Sequence, residues 1–271
     1  MPLVLEQIRR MRGGAQSHLM RCESNATPAE EAYYVVKFQN NPQGTRILAN
    51  ELLGTRLAAR MGLPVPPASV VEVREQLIAH TDDLVIELGR GRAPCKAGLQ
   101  FGSRYPGTPV EVTVYDFLPD EQLREVVNLT DFCGMLVFDK WTCNTNGRQA
   151  IFSRVKNETR YQAQMIDQGF CFNAGEWNFP DAPLRGLYSR HRVYESVLGL
   201  ESFEPWLGRV ESKITESVLD EIQKEIPGEW YDFDFEALEK MLEHLLRRRK
   251  LVRELLVSAW KSSMQPFPNW K

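Results

Sequence analysis

The chain of 271 residues has no apolar run long enough to cross a bilayer, no CxxC pair, no internal repeat and no low-complexity tract. A membrane-spanning helix needs about 20 consecutive apolar residues, so none is expected. Five cysteines (Cys22, Cys95, Cys133, Cys143 and Cys171) form an odd set without zinc-ligand spacing. Reduced thiols in a cytoplasmic compartment are the expectation. The N-terminus has no apolar core of the kind that marks a signal peptide. There is no excess of positive charge either. The net charge of −3 speaks against a general nucleic-acid binder, which needs a basic surface to release counterions. Four histidines (His18, His80, His191 and His244) are scattered, with no pair at metal spacing. No Gly-Lys-Ser/Thr follows any glycine loop, which excludes a Walker A site.

The chain does have an apolar share of 43% and a charged share of 25%, enough apolar material for a sizeable core. The length favours two domains or lobes, or one large domain. Strands are expected over Met1–Arg12, His18–Cys22, Ala32–Gln39, Pro66–Val73, Leu84–Leu88 and Val110–Leu118, with a polar turn at Glu23–Glu30. Within this β-rich part, Ile47, Leu48, Leu52, Leu57, Ala58 and Met61 recur on one face of a helix over Thr45–Met61, which Gly62 and Pro64 end. Gly89–Gly107 reads as a Gly/Pro/Arg-rich loop. Its Gly89-x-Gly91 is no dinucleotide fingerprint, because Pro94 holds the third glycine position. After Pro119 the composition shifts to helices: Glu121–Val127, Asp131–Trp141, Arg190–Leu198, Phe203–Arg209, Glu211–Glu225 and Phe235–Ser262. A short β pair, Ala150–Phe152 and Tyr161–Ile166, interrupts them. The basic run Arg247–Lys250, among Glu239, Glu243 and Glu254, reads as a solvated helix face. The expected fold class is α+β and bilobal: a β-rich N-lobe (1–118) with one main helix, a connecting segment near 115–119, and a mostly helical C-lobe (119–271).

Several short motifs carry chemistry. Gly13-Gly14-Ala15-Gln16 lies between two strands, where backbone N–H groups can approach phosphate oxygens. Lys37 falls where strand alternation buries it, and a buried ammonium needs a partner. Glu51, on the helix that follows, is the obvious one. A strand lysine followed by a helical glutamate is how kinase-like folds hold a nucleotide. Asp116, Phe117 and Leu118 end the last strand of the first half, where backbone groups and apolar faces can meet a base. FDKWTCNTNGRQAIF (138–152) gathers Asp139, Asn144, Asn146, Arg148 and Gln149 in one turn. Asp167-Gln168-Gly169 puts an acid at a strand end, the geometry of a carboxylate that holds Mg²⁺ between phosphates. His18, just after the glycine loop, is a further candidate for touching phosphate.

Taken jointly, these motifs resemble the HipA-like kinase domains, distant relatives of phosphatidylinositol and protein kinases. The resemblance covers nearly the whole chain. It rests on Gly13–Gln16, YVVKFQNNPQGTRILANE (34–51), GLPVPP (62–67), FGSRYPG (101–107), VYDFLPD (114–120), FDKWTCNTNGRQAIF (138–152) and MIDQG (165–169). It implies a kinase-like fold, ATP and Mg²⁺ as cofactors, and phosphoryl transfer to a protein Ser/Thr. It also implies that Lys37 holds phosphates, Glu51 orients Lys37, Gly13–Gln16 cover the phosphates and Asp167 ligates metal. A regulatory protein partner, as in toxin–antitoxin pairs, follows only by analogy with part of the family; neither a membrane nor direct nucleic-acid contact is expected.

One loop departs from the family. There it usually reads Asn-x-Asp, with the Asp orienting or deprotonating the acceptor hydroxyl; here it is Asn144-Thr145-Asn146. An amide cannot take a proton, although it can position a hydroxyl or coordinate Mg²⁺. The downstream metal-binding Asn is also missing, with Gln149 nearest and Ile151 at one alternative alignment. Three explanations stand open. The chain is a pseudokinase, a nucleotide-binding scaffold; or Asp139, spaced from Asn144 as base and metal ligand are in the wider superfamily, replaces the acid; or Asn146 is an introduced substitution. A small-molecule phosphotransferase would use the same fold.

Overall fold

A computed structural model describes residues 1–23, 31–89 and 91–271. Beyond Glu23, the expected turn at Glu23–Glu30 lies outside the described residues. Three strands, β1 (Leu3–Arg10), β2 (His18–Glu23) and β3 (Glu31–Lys37), pair antiparallel in order. After α1 (Arg46–Arg60) come β4 (Ala68–Val73), the short α2 (Glu75–Ala79), the hairpin of β5 (Val85–Leu88) and β6 (Gly91–Pro94), and β7 (Gly98–Arg104). The order β1-β2-β3-β7-β4 closes into a barrel, sealed where Leu3 of β1 lies parallel to Glu72 of β4. Met20, Cys22, Val36, Phe38, Val71 and Val73 are buried inside it.

β6 and β7 correct the reading of Gly89–Gly107 as a loop. β7 is paired on both sides, with β3 and with β4. A Cβ on its Gly102 would lie 2.7 Å from Val71 Cγ1 and 3.1 Å from Tyr34 Cδ1. The glycine is there because neighbouring side chains occupy the space, not because the backbone must turn.

β8 (Val112–Tyr115) is shorter than the expected Val110–Leu118 strand. It leaves the barrel and pairs with β9 (Gln149–Val155), which pairs with β10 (Gln162–Ile166). α3 (Asp131–Thr142) is the axis of the second half, with every residue from Phe132 to Thr142 buried. It packs against α4 (Trp206–Lys213), α6 (Phe235–Arg248) and α7 (Val252–Trp260), while α5 (Glu216–Gln223) packs on α1.

The other expected helices are shorter or divided. Glu121–Val127 is a 3₁₀ segment, Asp120–Glu125, and Arg190–Leu198 holds one 3₁₀ turn, His191–Tyr194. The helices expected at Phe203–Arg209 and Glu211–Glu225 re-divide as α4 and α5, with Thr215 capping the second through Val218 N at 3.3 Å. The run Phe235–Ser262 breaks at the 3₁₀ segment Arg249–Leu251. Within the Arg247–Lys250 run, Arg247 and Lys250 are exposed as expected of a solvated face, Arg247 pairing with Glu243 at 2.8 Å. Arg248 is 2% exposed, pairs with Asp181 at 2.6 Å and donates to the carbonyls of Lys140 and Trp141 at 3.0 and 2.9 Å. Those carbonyls belong to the last turn of α3, which has no intrahelical donors of its own. Among the described residues no helix is long and apolar enough to cross a membrane.

α1 is buried on more than one face. Its apolar positions Leu48, Leu52 and Leu57 join the main core, but Asn50, Glu51 and Thr55 are buried as well. It lies against β4 and β7 on one side and the 171–176 segment on the other. Contact is closest at Gly54, where a Cβ would sit 2.7 Å from Gln168 Cβ. Gly54→Ala gains about 0.8–1.0 kcal/mol of helix propensity, but overpacking costs about 1–3 kcal/mol. The variant should unfold at lower urea with an unchanged slope. A midpoint at or above wild type would mean that the 167–169 loop yields freely.

Candidate functional site

Period-two alternation puts Val35 and Lys37 on the same face of β3. Phe101 and Ser103 of β7 stand opposite Lys37 and Val35 in register. All four line a cleft of about 980 Å³, whose other walls come from the glycine loop, α1 and the second half. Lys37 is 9% exposed. Its Nζ is ion-paired with Glu51 Oε1 and donates to Asp167 Oδ1 at 2.6 Å. Burial works against the ammonium, but the two carboxylates outweigh it and hold the pKa above the usual lysine range. For Asp167, burial raises the pKa while the charge and hydrogen bond of Lys37 lower it; the net effect is a carboxyl held below its ordinary range.

Glu51 does more than face Lys37. It accepts the backbone N–H of Gln168 at 2.9 Å and of Gly169 at 3.0 Å. Next to it, Asn50 donates to the carbonyls of Gly169 at 2.8 Å and Ala174 at 2.7 Å and accepts from Trp177 Nε1 at 2.8 Å. One turn of α1 therefore fixes the strand lysine and the segment after β10 together. Asp167 itself has φ of +62°, in the left-handed region that Asp tolerates better than most residues. The buried role of Asn50 escaped the sequence reading, since an Asn beside a helical Glu carries no pattern.

The turn after α3 divides its candidates. Asp139 is 1% exposed and does not line the cleft. Its Oδ2 accepts from Arg148 Nε at 2.8 Å, and its Oδ1 takes both Arg148 Nη2 and Asn144 Nδ2, the latter at 2.9 Å. With both oxygens engaged, it is a poor proton acceptor for a bound hydroxyl, which corrects the reading of Asp139 as a base. Asn144 is likewise buried and turned to Asp139, which corrects its reading as a metal ligand. Arg148 also donates to the Ile166 carbonyl at 2.7 Å, tying this turn to the strand end that carries Asp167. Asn146 is exposed and lines the cleft, and Gln149 Nε2 donates to Asp167 Oδ2 at 2.6 Å.

In the glycine loop, Gly13, Gly14 and Ala15 line the cleft, and Gly13 has φ of +124°, which only glycine adopts freely. Gln16 does not line it. Its amide donates to the Glu87 carbonyl and accepts from the Glu87 N–H, both at 2.8 Å, and it takes a bond from Arg10. That corrects its reading as a phosphate contact: it pins the loop to β5. His18 is fully buried against Phe38, contacts Gln7 at 2.9 Å, and has a pKa lowered to about 4, first by burial and then by Arg10. It does not line the cleft. At the other end, Asp116 and Phe117 line the cleft, while the Leu118 side chain is in the core, a further correction. The sequence reading also missed Arg190, which lies over the Phe117 ring at 4.5 Å, donates to the Leu118 carbonyl and pairs with Asp120.

Among the described residues no three His, Cys, Asp or Glu side chains converge as a metal site. A magnesium site shared with ligand phosphates does not need three; one or two carboxylates suffice. The Asp167 carboxylate supplies hard oxygen donors that fit such an ion, and the Gln149 amide lies against it, its nitrogen donating to Oδ2.

A family model described as HipA-like kinase matches residues 4–258. The chain belongs to that family. Solved structures share its fold. The Helicobacter pylori proinflammatory kinase CtkA aligns at 16% identity with a TM-score of 0.59, covering 96% of this chain and 98% of its own. The hydra Fam20 structure with sugar aligns at 12% identity and 0.51, covering 97% of this chain and 86% of its own. The Golgi casein kinase aligns at 11% identity and 0.53, covering 97% of this chain and 74% of its own. At such identities the likeness is one of fold. No curated protein sequence matches this HipA-like chain.

Removing one member of a buried ion pair strands the other, at about 3–5 kcal/mol. Lys37→Met leaves Glu51 and Asp167 facing each other, so it should destabilise by about that amount at neutral pH. With the ammonium gone, burial and the Asp167 charge raise the Glu51 pKa above its unfolded value. The penalty should therefore shrink as pH falls toward the carboxylate range and the acid takes its proton. Adding Glu51→Gln should recover part of the loss at neutral pH. Equal stability of wild type and Lys37→Met in denaturant titrations would remove the pair from the account.

Proposed function

We propose that the chain is an ATP- and Mg²⁺-dependent protein kinase acting on Ser or Thr. The observation that supports this best is the Lys37 ammonium, shared by Glu51 and Asp167 at the wall of a cleft that Gly13–Ala15 also line. In this reading Lys37 binds the phosphates and Glu51 keeps it directed. The Gly13–Ala15 backbone covers the phosphates, and Asp116 and Phe117 bracket the base. Asp167 and Gln149 hold the magnesium, which when bound neutralises charge on the transferring phosphoryl group. Val35 and Phe101 give the base an apolar seat. Phosphoryl transfer depends chiefly on positioning and electrostatics, and the residues named here supply both.

Asn146 favours a second reading, a nucleotide-binding scaffold that does not transfer phosphate. It lines the cleft in place of an acid and cannot accept a proton.

Calorimetric titration separates these claims. Wild type should bind ATP more tightly with Mg²⁺ than without. Asp167→Asn should lose that gain, and Lys37→Met should weaken ATP binding at least tenfold, equivalent to about 1.4 kcal/mol. Radiolabel transfer from ATP to casein that vanishes in both variants supports the kinase. ATP binding without any transfer supports the scaffold. No heat with ATP·Mg²⁺ rejects both.

A further inference from the structure

We propose that Asn146 is a site of spontaneous deamidation, and that its conversion to aspartate installs the carboxylate that the transfer end of the cleft lacks. The catalytic half of this inference rests on the kinase reading above; the modification half does not.

Three carboxylates line the cleft among the described residues: Glu51, Asp116 and Asp167. Glu51 and Asp167 are both held by Lys37, and Asp116 lies on the segment leading to Phe117 and Leu118. Asp139 is enclosed by Arg148 and Asn144. Glu51, Asp167 and Asp139 are thus already engaged. Asn146 is exposed on the cleft wall, three residues before the Gln149 that touches Asp167. An acid at this position would supply the missing group.

The local chemistry favours that change. Asn146 is the only Asn in the chain followed by Gly. Gly147 is also exposed, and a Cβ built on it meets nothing nearer than the Leu187 carbonyl at 3.5 Å, so the backbone at this position is uncrowded. Its N–H donates to Asn146 Oδ1 at 2.9 Å, so the nitrogen already faces the carboxamide it would attack. In the reaction, Gly147 N gives up its proton to water or hydroxide and attacks Cγ. The N–Cγ bond forms, the Cγ–Nδ2 bond breaks, and ammonia leaves with a proton from solvent. Water then opens the five-membered succinimide. Addition at Cγ breaks the N–Cγ bond and yields aspartate with the original backbone. Addition at the main-chain carbonyl yields isoaspartate, which inserts a carbon into the backbone two residues before Arg148. Since Arg148 is locked to Asp139 and to the Ile166 carbonyl, only the aspartate product keeps the turn in register.

Two readouts on the full chain test the two halves separately. Purified wild type is aged in mildly alkaline buffer, and peptide mass mapping follows residue 146. Radiolabel transfer from ATP·Mg²⁺ to casein is followed in the same samples. Acid should accumulate at 146 in wild type and much more slowly in Gly147→Ala. Transfer should rise as aspartate appears, and Asn146→Asp should transfer from the start, roughly 10²–10⁴-fold faster than Asn146→Gln. A residue 146 that stays an amide throughout overturns the modification. Asn146→Asp that binds ATP·Mg²⁺ yet transfers no faster than Asn146→Gln overturns the catalytic role. Absence of ATP binding in every form overturns the kinase reading and the catalytic half with it, while the mass readout still decides the modification.

Discussion

A nearly buried ammonium governs this molecule. Lys37 can stay charged inside the protein only if negative charge reaches it, and the two carboxylates that do so come from different parts of the chain. Glu51 comes from α1 and Asp167 from the end of β10. The barrel, the helix and the second half must dock in one arrangement for that requirement to be met. The network is costly if half-made and rigid when complete.

α1 is the part that makes the arrangement reproducible. Asn50 and Glu51 bind the 168–174 segment through main-chain atoms. Gly54 removes the side chain that would hold that segment away. Arg148 does a parallel task from the other side, joining Asp139 at the end of α3 to the carbonyl just before Asp167. The exposed, reactive positions Asn146 and Gln149 are thus carried on a turn whose neighbours are fixed. The polar cluster that looked like a set of ligands in sequence divides into anchors that are buried and a few groups that face the cleft.

The sequence made some of this legible. Strand alternation and the helical repeat located β3 and α1, and with them Lys37 and Glu51, because both signals are local. The acid at a strand end followed by glycine located Asp167 for the same reason. What escaped was set by distant partners. Asp139 and Asn144 are ordinary polar residues until Arg148 folds back on them. Gln16 is a phosphate-loop residue until β5 arrives to pair with it. Arg248 sits in a basic run that reads as surface, yet the end of α3 needs its donors. β7 was hidden by glycines, of which Gly102 makes room for Val71 and Tyr34, and composition alone cannot distinguish that from a flexible turn.

The pairing of β8 with β9 has a mechanical consequence. Because β8 is stitched to the second half, Asp116 and Phe117 travel with that half rather than with the barrel. The covalent pivot between the two bodies then falls upstream, in the stretch from Tyr105 to Glu111, where Pro106 stiffens the backbone and Gly107, at φ of +77°, lets it swing. The glycine loop hangs from the barrel and the Asp116–Phe117 wall from the second half, so the cleft exists only where the two bodies meet.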